Sequence, residues 1–152
     1  MKIGIGTDHR GFKLKEFLKS TLQKEKHVVL DFGVFDENPA DYPDTAFALT
    51  KDLQRKKIER GVLICGSGLG MSIAANKVKG IRATLCLNEK MAKMARNHND
   101  SNTLVLAANF TTPTKAKKIL KVWLTEEFEG GRHLRRIQEI AKYESRNKVR
   151  HK

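Results

Sequence analysis

Cysteine is scarce in this chain. Cys65 and Cys86 are too few for a disulfide framework or a four-ligand zinc site, and both stand at the ends of apolar runs, which fits a reducing compartment. Proline is scarcer than in disordered or collagen-like sequences: three prolines and 11 glycines, with 39% hydrophobic and 31% charged residues, are the composition of a globular protein. No uninterrupted apolar run approaches the roughly 20 residues that span a bilayer. The opening stretch MKIGIGTDHRG also lacks the apolar segment of a secretory signal, so a cytoplasmic protein without a membrane partner is expected. None of the five histidines shares a recognisable zinc-binding spacing with an acid or a cysteine, so no metal site is expected. Acids are in deficit as well, 17 against 30 Lys and Arg. The resulting charge of +13 attracts phosphate-bearing partners of any size, from a sugar phosphate to RNA.

What the chain does have is a regular alternation. With 152 residues there is room for one domain, read as residues 1–145, followed by a basic tail at 146–152 that holds four cations and no acid. Lys2–Thr7, His27–Phe32, Gly61–Cys65, Ile81–Leu87 and Thr103–Ala107 are apolar runs of strand length. Between them apolar residues recur at helical spacing: Leu14, Phe17, Leu18 and Leu22; Ala46, Leu49 and Leu53 after a cap at Asp44; Ile73, Ala74 and Val78; Met91, Met94 and Ala95; Ala116, Ile119, Leu120 and Trp123. A last helix begins after Gly130-Gly131. Five strands separated by amphipathic helices imply an α/β fold, a three-layer α/β/α sandwich around a five-stranded parallel, Rossmann-like sheet.

In such sheets ligands bind beyond the carboxyl ends of the strands. Asp8-His9 follows the first strand, Cys65-Gly66-Ser67-Gly68-Leu69-Gly70 the third, and His98-Asn99-Asp100 ends the helix before the fifth; these loops are expected to converge on one cleft. Three glycines and a serine at a strand-to-helix turn can aim several backbone N–H groups at one anion, or can be a tight turn that packs helix against sheet. The loop has neither the Gly-Lys-Ser/Thr of a Walker A motif nor the acid of a dinucleotide fingerprint. Cys65, beside a helix N-terminus, can act as a base if held as thiolate; the bland alternative is a buried structural thiol, which is the reading adopted for Cys86. His98 divides the same way between a hydrogen-bonded loop residue and an acid–base group. Arg132 and Arg136, four apart on one helical face, can fork onto a phosphate or form a solvated basic face.

Gly6-Thr-Asp8-His9-Arg10-Gly11, Asp41-Tyr42-Pro43-Asp44, the Cys65-Gly-Ser-Gly-Leu-Gly-Met-Ser72 block, Gly80-Ile-Arg-Ala83, His98-Asn99-Asp100 and Glu129-Gly-Gly-Arg-His133 together closely resemble ribose-5-phosphate isomerase type B. The resemblance runs from residue 2 to about residue 140. It implies cofactor-free interconversion of ribose 5-phosphate and ribulose 5-phosphate through a cis-enediolate, in a homodimer or dimer of dimers with sites at the subunit interface. By the same resemblance Cys65 shuttles the proton, Ser67 with the loop glycines Gly66, Gly68 and Gly70 stabilises the enediolate, and His98 opens the sugar ring. Asp8 and Asn99 contact hydroxyls, Tyr42 lines the pocket, and His9, Arg132 and Arg136 grip the phosphate. One branch of the family uses a glutamate base at the position of Met71, so the cysteine branch is indicated. Family members also carry an arginine shortly after the fifth strand that helps bind phosphate, where this chain reads Ala107-Ala-Asn109-Phe110. Arg10, in place of the small residue usual after the histidine, or a lysine is the available substitute. Two alternatives stand behind this reading: a hexose 6-phosphate isomerase on the same scaffold, and a basic nucleic-acid-binding module. The second ranks low because the cations are dispersed and aromatics are only 7%.

Overall fold

Each of the five apolar runs pairs in parallel with a neighbour. β1 (Lys2–Thr7), β2 (Val28–Asp31), β3 (Arg60–Cys65), β4 (Ala83–Leu85) and β5 (Thr103–Ala107) form one sheet in the order β2-β1-β3-β5-β4. The helices are α1 (Phe12–Lys24), α2 (Tyr42–Gln54), α3 (Leu69–Ala75), α4 (Glu89–Asn99), α5 (Pro113–Thr125) and α6 (Arg132–Arg146). The computed structural model describes residues 1–146. Of the basic tail expected from 146 onward, Arg146 is the last residue of α6 and the remainder lies outside the described residues. Among the described residues no helix is long and apolar enough to cross a membrane.

Strand geometry sends alternate residues to opposite faces, and this builds two cores. Ile3, Ile5, Val62, Ile64, Leu104 and Leu106 pack with residues of α1, α4 and α5. Leu63, Cys65, Ala83 and Val105 pack on the other face with residues of α2 and α3. Each fully buried Leu or Ile contributes about 1.5–3 kcal/mol relative to exposure. Trp123, wholly buried at the centre of the first core, satisfies its indole N–H on Ser101 Oγ at 3.2 Å. The three-layer architecture is therefore as the alternation implies. Two boundaries differ. α2 starts at Tyr42 with Asp41 as its cap and Pro43 in the first turn, and Asp44 sits inside that turn, where an acid favours the positive end of the helix. β4 is only three residues, because Ile81 N–H turns back onto the Val78 carbonyl.

The polarity of the crossovers decides where each loop lies. β1 connects to β2 through α1 on one face, and β2 returns to β3 through α2 on the other, so the carboxyl ends of β1 and β3 bracket the crevice where the strand order reverses. A crossover helix runs back toward the amino ends of the strands. α4 accordingly finishes beside the start of β4: Asp100 accepts from Arg82 at 3.1 Å, and Asn102 accepts the Arg82 N–H and the Gly61 N–H through its side-chain and main-chain oxygens.

Candidate active site

Cys65 is the last residue of β3 and only 4% exposed. Its sulfur is not sealed in hydrocarbon alone, because Gly68 N–H donates to Sγ at 3.2 Å. That donor is aimed by the backbone of Gly68, whose φ of +75° is a left-handed conformation, and a β-carbon there would also collide with Leu85. Leu69 N–H donates to Ser67 Oγ at 3.2 Å, which leaves the serine hydroxyl proton available. The amides of Gly66 and Ser67 have no hydrogen-bond partner among the described residues. The donors of the loop are thus divided: Gly68 N–H is spent on the thiol, while the amides of Gly66, Ser67 and, in the first turn of α3, Gly70 are left without a partner among the described residues. Cys86, in the other core, is pushed up to about 11 by burial and stays a neutral thiol.

The β1 loop closes one side of this cradle. Asp8, 5% exposed, caps a short 3-10 turn at His9–Gly11 by accepting the N–H groups of Arg10 at 3.0 Å and Gly11 at 3.4 Å on one oxygen. His9 Nδ1 accepts Ala40 N–H at 3.1 Å, which assigns the proton of the neutral ring to Nε2 and leaves it as a donor. Tyr42 packs its ring directly over Gly70, where any β-carbon would strike it. Arg10 and Asn109 lie together across Gly66, a β-carbon on which would be 2.8 Å from Arg10 Cδ and 3.0 Å from Asn109 Nδ2. Behind this wall Lys15, with a fully buried side chain, donates to both Asp31 oxygens at 2.9 and 2.8 Å and to the Val34 carbonyl at 2.7 Å. Burial opposes ionisation of Asp31, but the ammonium donors of Lys15 and Lys19 outweigh it and hold its carboxyl below the usual carboxylate value.

His98, Asn99, Arg132 and Arg136 are elsewhere. All four lie with the end of α4 and the start of α6, toward the amino ends of the strands. β3 alone, from Gly61 to Cys65, separates the two ends by at least about 13 Å. The single cleft expected from the sequence is thus not formed within one chain, since α4 carries its C-terminus to the opposite end of the sheet. His98 stacks on the buried His133 ring with centroids 4.3 Å apart and planes inclined by 11°, and Glu129 lies 3.6 Å behind His133. Burial, then His98 and Arg132, hold the His133 pKa below its ordinary value, so its ring is neutral at neutral pH. Donor atoms of His98, Glu129 and His133 fall within 4.8 Å of one another, a trio that no sequence spacing suggested. With the imidazole planes nearly parallel, their in-plane lone pairs do not converge on one ion. Neither Arg132 nor Arg136 has a carboxylate partner among the described residues, whereas Arg135 beside them pairs with Glu139.

The ribose/galactose isomerase model matches residues 3–140. The chain belongs to that family. Within the ribose/galactose isomerases it is 39% identical to ribose-5-phosphate isomerase B of Escherichia coli, over 95% of this chain and 97% of the other. It superposes on ribose-5-phosphate isomerase B of Clostridium thermocellum with a TM-score of 0.95, 44% identity, and coverage of 96% and 99% of the two chains. The family enzyme from Mycoplasma genitalium, solved with bound ribulose 5-phosphate, gives a TM-score of 0.91 at 40% identity, with 95% and 96% covered. Two features of this family member were not singled out as functional from sequence. Glu129 and His133 were visible only as ends of the Glu129-Gly-Gly-Arg-His133 motif, and the approach of Arg10 and Asn109 to the same glycine, Gly66, joins residues that only the neighbouring of β1, β3 and β5 brings together.

Proposed function

We propose that the protein is an aldose–ketose isomerase that interconverts ribose 5-phosphate and ribulose 5-phosphate, with residues 1–145 as the catalytic domain. The observation that carries this reading is a thiol held by a main-chain donor at the crevice of the sheet, surrounded by further donors and closed by Tyr42. Cys65, as thiolate, takes the C2 proton of the open-chain aldose and returns it at C1. The electron pair released at C2 passes to the carbonyl oxygen O1, the O2 hydroxyl proton moves to O1 as the other proton returns to C1, and the cis-enediolate between the two steps is met by Ser67 Oγ–H and the Gly66, Ser67 and Gly70 amides. A preorganised donor of this kind contributes roughly 3–4 kcal/mol. Asp8, with its second oxygen, and Asn99 bind sugar hydroxyls; His9 Nε2–H, Arg132 and Arg136 take the phosphate; His98 opens the ring.

Because His98 and Cys65 stand at opposite ends of one chain, the working site joins the Cys65 half of one subunit to the His98 half of another. Exposed apolar side chains flank both halves, Leu69, Ile73 and Phe110 beside the first and Leu134 and Ile140 beside the second, and these suit a copy-to-copy contact. A homodimer with reciprocal sites follows, alone or doubled. The test is subunit complementation. Cys65→Ala and His98→Ala are each expected to lose nearly all turnover. Refolded as a mixture, they restore about a quarter of wild-type activity, since half of the dimers are mixed and each carries one intact site. A mixture as inactive as its components would reject the shared site, and normal turnover by Cys65→Ala would reject the base. The relative kcat/KM on ribose 5-phosphate and on galactose or allose 6-phosphate decides between pentose and hexose substrates. The reaction is placed in the cytoplasm, where the two free thiols stay reduced.

A further inference from the structure

We propose that Arg10 is the cation with which the Cys65 half of the site grips the substrate's phosphate, and hence a residue that makes this chain select phosphorylated sugars. The inference rests on the isomerase reading above. Arg10 is fixed at its root, because Asp8 takes its N–H and that of Gly11 in the 3-10 turn. Its side chain runs over the cradle, since Cδ lies against Gly66 and Asn109 approaches the same face of that glycine. The guanidinium itself is unclaimed among the described residues. Arg82, Arg96 and Arg135 each pair with a carboxylate, whereas Arg10 is exposed and has none.

Its chain neighbour His9 keeps Nε2–H as a donor, and the loop that its Cδ meets carries the unpartnered amides of Gly66 and Ser67 and, at the same glycine, the Asn109 amide. Asp8, its neighbour in the turn, spends one oxygen on capping, and no carboxylate of the described residues pairs with the guanidinium. A fork of donors carrying a full positive charge, among neutral donors and without a competing carboxylate, is suited to a phosphate dianion. Asn109 lends a hydrogen bond but no charge, so after β5 the loop cannot supply the cation, and Arg10, reaching across Gly66 to the same place, does.

The test compares wild type, Arg10→Ala, Arg10→Lys and the double variant Arg10→Ala with Asn109→Arg. The measurements are steady-state kinetics on ribose 5-phosphate and on unphosphorylated ribose, and the inhibition constant of inorganic phosphate. Arg10→Ala is expected to raise KM for ribose 5-phosphate and the phosphate inhibition constant by about tenfold to a hundredfold, with kcat changed less than about threefold and ribose turnover unaltered. Arg10→Lys falls between, and Asn109→Arg recovers most of the loss by returning the charge from the β5 loop to the same glycine. The proposal is overturned if Arg10→Ala leaves both constants within about twofold of wild type, or lowers turnover of both sugars equally. Should wild type not isomerise phosphosugars, the functional reading fails separately. Phosphate binding by wild type and Arg10→Ala, measured by calorimetry, then decides the role of Arg10 in the same two directions.

Discussion

Gly68 can be tested against a control that the molecule itself provides. Gly68→Ala forces an L residue to φ +75°, at a cost of about 1–2 kcal/mol, and drives a β-carbon into Leu85 and against the Leu106 backbone, for about 1–3 kcal/mol more. Gly80 adopts nearly the same angle, φ +80°, but a β-carbon there meets nothing within 4 Å, so Gly80→Ala carries only the backbone strain. At roughly 2–4 °C per kcal/mol for a domain of this size, Gly80→Ala should lower Tm by roughly 2–8 °C and Gly68→Ala by roughly 4–20 °C. Both are measured by circular dichroism at one protein concentration, with urea titration for the free-energy difference. Because Gly68 also aims its N–H at Cys65 Sγ, its replacement should cut kcat about a hundredfold at temperatures where the variant is fully folded, whereas Gly80→Ala should not. Equal destabilisation of the two variants would refute the argument that Leu85 and Leu106 close the space over this turn. A fully active, folded Gly68→Ala would refute the role given to its amide.

Removing the Lys15 ammonium leaves Asp31 with Lys19 as its remaining cation, so Lys15→Met should cost about 3–5 kcal/mol in urea unfolding, part of which Asp31→Asn restores in the double variant. Asp31 is held below its unfolded value. Its contribution is complete above the unfolded value of about 4 and fades as pH falls through the lower folded value, so Asp31→Asn should flatten the acid limb of the stability curve below about pH 4. His133, depressed by burial, His98 and Arg132, should titrate by NMR below the ordinary value of about 6.5. Its neutral ring adds stability that is complete above that value and is lost as pH falls through the folded one; a titration at or above the ordinary value would contradict the stacked geometry.

Much of the scaffold was legible because burial speaks through composition. Gly61–Cys65 and Thr103–Ala107 are almost wholly apolar since helices cover both faces of the strands they form. The position of Cys65 at a strand end was readable for the same reason. Boundaries were less so: Ile81 is buried without belonging to the β4 ladder, and hydrophobicity alone does not separate ladder from turn. The placement of His98 was misjudged for a different reason. Its helix was foreseen, but the direction of a crossover helix, which takes its last residues away from the carboxyl edge, was left out of the expected cleft. The nearness of Arg10 to Asn109 depends on the order of strands in the sheet, which no local pattern encodes.

Lys15 sits wholly out of water, tied to α1 by the chain and to Asp31 and the Val34 carbonyl by its head group. A few residues further on, His9 holds Ala40, and Tyr42 rests on Gly70. The long connection between β2 and α2 is thereby tied down at Val34 and Ala40, and Tyr42 seats the start of α2 just beyond it. A ligand that enters from that side, as the proposed reaction requires, meets a wall already set, and little chain entropy is lost when it docks there.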